Sequence, residues 1–405
     1  MSLSFQCARF PSPRPLEGLE GPVESLPWLG LPLGERQDRA FVENGLKIGA
    51  FEELGGGPCL LLREDVAVTP AAVAAMLEAI GDGKGVDDFY WQADGRAGNL
   101  ALQLAYGHDE PLLVFLAAGG EATLARVRQV SPREMPAQER LMEFPLAPGQ
   151  FAADMLELPL TERLVLPVGH WTQLLWANLL GLGPWLYRTL GGNNVVSLGW
   201  RLFWAILRAR SLQPGRIAAQ YVRIGKGCTI HPSAVVEASW IGDDVEIGAN
   251  AVVRGCVISD GASVEPLSIV EGCVLGRGAQ VQRLALAKFS VMCDRSMNGG
   301  DVQLAVLGQR SAVKRGAQLF DQSFDQVLRV KVGDRLEAAP LGLLGVGVGA
   351  RTLVGAGVRV APGRCLPPDL QIVADTAQVV RRVDADARGL HTVSDGGLVA
   401  VGTRS

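Results

Sequence analysis

Four histidines carry the side chains of this chain that titrate nearest neutrality, and so are its first candidates for a general base: His108, His170, His231 and His391. Only His231 lies in a repeated segment, Thr229-Ile-His-Pro-Ser-Ala234. Two roles are open to it there, a proton acceptor or a turn former ahead of proline. His108 follows Tyr106-Gly107 in an expected loop, and His170 opens a Trp-rich helix, where a cap or surface position is expected. His391 falls in a Gly/Asp-rich tail expected to be disordered. A second chemistry is anion binding. Lys288, Arg295, Arg310, Lys314 and Arg315 crowd one stretch, and a basic groove suits phosphate groups as well as a solvated edge suits the charges themselves. A third is metal binding by Asp65, which ends the apolar run Leu60-Leu-Leu-Arg-Glu-Asp65. A lone carboxylate at a strand end is more often a cap or turn residue, so Mg2+ is doubtful.

The elements that must position these groups are set by a period. Ile224-Gly225, Ile241-Gly242, Ile258-Ser259 and Leu275-Gly276 recur at one constant interval. A second aliphatic follows each pair (Ile230, Ile247, Val264, Val281), and a third follows at Val235/Val236, Val252/Val253 and Ile269/Val270. So short a period fits one coil of three brief strands. A single coil cannot bury its apolar edge but a stack can, so the pattern predicts a solenoid with inward aliphatic columns. The pattern resumes at Leu307-Gly308, Val313 and Leu319, and again at Val348-Gly349, Val354-Gly355 and Val360. Six or seven coils are expected within residues 216–385. Val327 to Pro340 leaves the pattern, and Gly333-Asp334 reads as the turn of a projecting hairpin.

Residues 1–190 read as α/β. Pro58 to Arg63 and Pro111 to Ala117 are strand candidates, and Thr69-Pro70 starts a helix through Ile80. Alternation of the two predicts a parallel, layered sheet. Arg163 to Val236 has no acidic residue and holds Trp171, Trp176, Trp185, Trp200 and Trp204. Gly181, Gly183-Pro184 and Gly191-Gly192 are expected to break it into short helices. Residues 191–215 read as an amphipathic connector, residues 386–405 as a flexible tail. The segment 171–210 either meets a membrane surface or packs on the first coils.

Composition narrows the class. The 405 residues carry a formal charge of −4, with a pI near 5.7. That balance argues against nucleic acid as a partner, because phosphate neutralisation needs a basic surface. Seven scattered cysteines form no CxxC pair, as expected of reduced thiols in a cytoplasmic protein.

The repeat resembles that of the hexapeptide-repeat transferases, whose coils form a left-handed parallel β-helix. The resemblance implies an all-β C-terminal domain, a homotrimer and acyl transfer from an acyl-CoA with a histidine as base. Leu307-Gly308, Val313, Leu319 and Phe320-Asp-Gln-Ser-Phe-Asp-Gln326 resemble the acetyltransferase part of the bifunctional uridyltransferase/acetyltransferases. That likeness implies acetyl-CoA near Phe324 and Asp325, with Arg364 on a late coil bordering it and Lys288 and Arg295 in the basic region. It also puts Asn298 at the place of the catalytic histidine, where an amide cannot accept a proton. Pro27-Trp-Leu-Gly-Leu-Pro-Leu33, the strand ending at Asp65, and Trp171 to Leu180 resemble the sugar-phosphate nucleotidyltransferases, with a Rossmann-like layered sheet. The Gly-rich phosphate loop of that family is missing before Pro22, so the domain reads as degenerate. Two functions follow as expectations. One is acyl-CoA-dependent transfer to an amino sugar or sugar phosphate. The other is a non-catalytic trimeric scaffold or ligand-binding protein of envelope polysaccharide synthesis, placed in the cytoplasm or peripherally at the inner membrane face.

Overall fold

A computed structural model describes residues 6–12, 16–81, 85–93, 110–118, 120–136, 138–145, 155–191, 207, 220–323, 327–339, 342–383, 387–388 and 391–401. Apolar runs form the N-terminal sheet. Its order is Ile48–Ala50, Gln6–Phe10, Cys59–Arg63, Leu113–Leu116, Phe89–Ala93, Ser131–Met135. The first three strands are parallel, but Leu113–Leu116 runs antiparallel to both neighbours. The sheet is therefore mixed rather than parallel. The Pro70–Ile80 helix carries the chain across to Phe89–Ala93, and the next strand fills the gap left between, which only a reversed strand can do without a second crossover.

The C-terminal strands stack as three flat parallel faces, an arrangement consistent with a left-handed β-helix. The first and second faces have eight strands each and the third has seven. Ile224, Ile241, Ile258 and Leu275 pair in register and continue through Met292, Leu307, Val348 and Leu366. The first face thus has eight rungs where the sequence suggests six or seven coils; Met292 is one of those added, because residues 291–303 stay in register although they are two residues short. Partners in successive coils keep the constant interval of the repeat as far as Val291, and Val291 then pairs with Val306, which arrives early. Between the end coils, from Ile241 to Val354, the inward aliphatics are buried in one cluster, each contributing about 1.5–3 kcal/mol.

The two parts meet along the side of the rod, not at its end. Strands of the first face put one side chain in and the next out. The outward Val257, Val274, Val291 and Val306 share a core with Trp28, Trp171, Leu174, Leu175 and Trp176. The packing element is one helix, Trp171–Gly191, unbroken at Gly181, Gly183 and Pro184. Gly181 is there for closeness: a Cβ would lie 3.3 Å from Leu29 Cδ1. Pro184 removes one helical donor, and the helix persists because Trp171, Leu174, Leu175, Ala177 and Leu180 are fully buried. Asn178 fixes the Pro27–Leu29 segment to this helix, accepting from Leu29 N at 2.9 Å and donating to Pro27 O at 3.0 Å. On its other side, Ser259 Oγ donates to Gly30 O at 3.0 Å. The proline-rich segment is therefore mortar between the helix and the rod.

The hairpin Arg329–Val332/Arg335–Ala338 forms as expected. It projects onto its own N-terminal domain, where Leu328, Val330 and Val332 join the same core, and Gly333 N donates to Glu17 Oε2 at 3.0 Å. Within the C-terminal segment, the described residues His391–Ser394 pair with Gly397–Ala400, and Gly396 N donates to Ala377 O.

Close contact at the seam gives a sharp stability test. Gly347 stands in the outward column beside Val306, and a Cβ there would lie 2.8 Å from Trp171 Cδ2. Gly347→Ala is expected to lower stability by about 1–3 kcal/mol in urea unfolding. An unchanged midpoint would mean that the helix can back away.

Candidate functional site

The coils decide which faces can meet a ligand. The first is covered by the Trp171–Gly191 helix and the Pro27–Leu29 segment. The third carries a ladder of alternating charge: Arg254 pairs with Glu237 at 2.9 Å and Glu271 at 3.2 Å, and Lys288 pairs with Glu271 at 3.0 Å. Lys288 is thus spent within the ladder.

The second face differs. Its outward residues in coils four to six are Gln280, Met297 and Ala312, all uncharged. Tight corners bound it on each side. At the corner preceding this face, Gly261 and Gly278 take positive φ, and in the next coils Arg295 and Arg310 occupy the same position, both at φ 56°. Arginine has no steric licence for that region, so the coils hold these side chains at a cost. The stacking spacing puts the two residues about 4.8 Å apart along the rod. Both are exposed, and among the described residues neither forms an ion pair. Arg351, next in the column at φ 57°, is held by Glu20 and Asp369. Lys314 and Arg315 are exposed at the far corner. An uncharged strip between two basic edges can hold an extended, phosphate-bearing molecule.

Carboxylates at these corners are structural. Asp243, Asp260 and Asp294 each accept a backbone N–H from the preceding coil, at 2.7, 2.9 and 2.9 Å. These contacts satisfy amides that the turns leave unpaired.

The other predicted residues scatter. His231 is exposed in the first coil, with its Nδ1 2.8 Å from Ser233 Oγ and accepting from Ser233 N at 3.2 Å. The ring closes a turn. Asn298 is fully buried and points inward, paired in register with Val281 and Val313. Its Nδ2 donates to Leu286 O at 2.9 Å, and its Oδ1 accepts from Gly300 N at 3.0 Å. It fills the corner that is two residues short. Arg364 is exposed on the edge that also bears Lys288, three coils away, so Lys288, Arg295 and Arg364 do not converge. Phe324 and Asp325 lie outside the described residues, as do His108, Trp200 and Trp204. Asp321, earlier in the same stretch of sequence as Phe324, accepts from Gln303 Nε2 at 2.7 Å, and burial raises its pKa.

Asp65 is nearly buried and committed to a protein cation. Arg63 grips it through Nε at 2.5 Å and Nη2 at 3.1 Å and reaches Glu110 at 2.7 Å, while Ser12 Oγ donates to Asp65 at 2.9 Å. The residual cavity of about 10 Å³ is too small for a phosphate or a hydrated metal, and the Arg63 guanidinium already supplies the positive charge that a cation would bring to Asp65. Among the described residues, no group of three or more His, Cys, Asp or Glu is placed to hold a metal ion.

His170 departs most from its sequence reading. It is buried, at 2% exposure, between the long helix and the hairpin. Nδ1 lies 2.7 Å from Thr172 Oγ1, and Nε2 lies 3.3 Å from Lys331 O. Trp171 and Trp176 are buried as well, so this part of the Trp-rich stretch packs on protein. Among the described residues no helix is long and apolar enough to cross a membrane.

Sequence reasoning grouped the cations by proximity along the chain. Their column could have been found by aligning the corners, once the shortened coil was recognised. Residues 221–255 match the family model for the bacterial transferase hexapeptide (six repeats). The coils at residues 221–255 are similar to that family's repeats. The match lies at the start of the rod, and the strand register carries the same geometry through Ile372. Repeats of this family point to an acyltransferase-type function. No curated protein matches the chain.

Proposed function

We propose that this chain is an acyltransferase-type protein that lays an acyl-CoA along the second face of its coils, as a homotrimer, for transfer to an amino sugar or sugar phosphate. The observation that carries this reading is the corner column, in which Arg295 and Arg310 replace the glycines of earlier coils at positive φ. Two guanidiniums one coil apart suit a pyrophosphate, and Lys314 and Arg315 across the strip suit a further phosphate. The first face is closed by the protein's own helix, which leaves the second as the uncharged lane for an extended pantetheine-like arm.

Calorimetric titration of the full chain with acetyl-CoA and CoA tests this. Saturable binding is expected, and Arg295→Gln/Arg310→Gln should weaken it about tenfold or more. Absence of heat with either compound at millimolar concentration would sink the reading. Equal affinity in the double variant would move the site elsewhere.

A second reading, a non-catalytic trimeric scaffold in envelope polysaccharide synthesis, is favoured by two particular findings. Asn298 is locked inside the rod, and Asp65 is locked to Arg63. Binding of acetyl-CoA without turnover of any amino-sugar acceptor would support it.

A further inference from the structure

Between the Leu33–Val42 helix and the Trp171–Gly191 helix lies a cavity of about 110 Å³, walled in part by Trp28, Trp185, Arg36, Arg39 and Arg188. It is separate from the second face of the coils and from the Asp65 cluster. Two of its arginines are matched: Arg39 pairs with Glu35 at 2.8 Å, and Arg188 pairs with Glu43. Arg36 is not. Its Nε donates to Trp28 O at 3.2 Å and its Nη2 to Leu29 O, and its guanidinium lies 4.6 Å from the Trp185 ring centre. Among the described residues it forms no ion pair, and its Nη1 has no hydrogen-bond partner. Desolvation, with repulsion from Arg39, pulls its pKa down to about 9, and Glu35 and Glu43 offset this only in part. Glu43, which also lines the cavity, is taken up by Arg188, so a cation fixed by two carbonyls and an indole, with no carboxylate paired to it, is a preorganised half of an ion pair.

We propose that this cavity binds a small molecule carrying one oxyanion on a flat or sugar ring, with the oxyanion on Arg36 and the ring along the indoles of Trp28 and Trp185. Glu162 also lines the cavity, and its charge disfavours a ligand with a second negative group nearby. The fork geometry favours phosphate or carboxylate over a spherical anion.

The test uses the full chain and four probes: phenyl phosphate, glucose 1-phosphate, and their neutral counterparts phenol and glucose. Saturable quenching of tryptophan fluorescence is expected with the two phosphates and not with the neutral pair. Trp185→Phe should remove most of the quench. Arg36→Lys keeps the charge but loses the fork, and should weaken binding about tenfold or more. Glu162→Gln leaves the arginine anchors intact and should tighten binding a few-fold. The Glu162→Gln result decides the matter where Arg36→Lys fails to fold. No saturable response at millimolar phosphate ester, an equal response to phenol, or parental affinity in a folded Arg36→Lys protein would each overturn the assignment. So would unchanged or weaker binding in Glu162→Gln.

Discussion

Asn298→His, which puts an imidazole at the position where the sequence resemblance implied a catalytic base, is expected to cost about 3 kcal/mol or more of stability and to create no acyl transfer. Asn298 sits in the inward column of the second face, between Val281 and Val313. The corner after it, Gly299-Gly300, spans what the other coils cover with two more residues. The amide restores the lost connections by serving Leu286 O and Gly300 N together. Imidazole cannot reproduce a donor and an acceptor at that angle in that volume, so one buried backbone group loses its partner and the larger ring strains the column. A side chain with no solvent exposure also cannot reach an acceptor on the outer surface. Asn298→Asp separates the two effects. It keeps the size and the acceptor, loses the donor and buries a charge, so it should destabilise strongly at neutral pH and less in acid. Parental stability in Asn298→His, measured by denaturant unfolding, would show that the short corner does not depend on the amide. New acetyltransferase activity would show that the position is open to substrate.

His170 should make the protein acid-sensitive over a definite window. Burial drives its pKa from 6.5 to about 4, with Glu17 and the Lys331 carbonyl only partly opposing that drop. The hydrogen bonds fit a neutral ring: Nε2–H donates to Lys331 O, while Nδ1 accepts from Thr172 N and is 2.7 Å from Thr172 Oγ1. A proton on Nδ1 would face the Thr172 N–H. The unfolded chain binds a proton at its ordinary pKa of 6.5, whereas the folded chain resists until about pH 4. Stability from this group is therefore full above pH 6.5 and falls as the pH drops toward 4, by about 3 kcal/mol in total. His170→Gln should be less stable at neutral pH but lose less between those limits. The comparison isolates His170 from carboxylates that titrate in the lower part of the range. Parallel acid limbs for the two proteins would refute the assignment. The site joins the long helix to the projecting hairpin, so loss of the hairpin's contact with the N-terminal domain should accompany the change.

The coil register was legible because its physics is local and repeated. Once in every coil the same aliphatic must face inward, so a period in the sequence becomes a column in space. The corners and the projecting hairpin followed from Gly and Asp at tight turns, and the Cys59–Arg63 strand followed from its apolar run. Other features required the tertiary structure. Outward Val257, Val274, Val291 and Val306 look in sequence like any strand residues; only docking of the Trp171–Gly191 helix makes them core. That same burial keeps the helix whole across Gly181 and Pro184, where local propensity predicts breaks. Arg63 and Asp65 are two residues apart, yet their grip depends on a strand end closed by Ser12 and Glu110. The candidate site was half legible. Its cations stand plainly in the sequence, but their division among a neutralised ladder, a free corner and a distant coil depends on which face each one occupies. That division was hidden by a coil two residues short, because a small change in length moves every later residue around the rod, and only a buried amide shows how the register was kept.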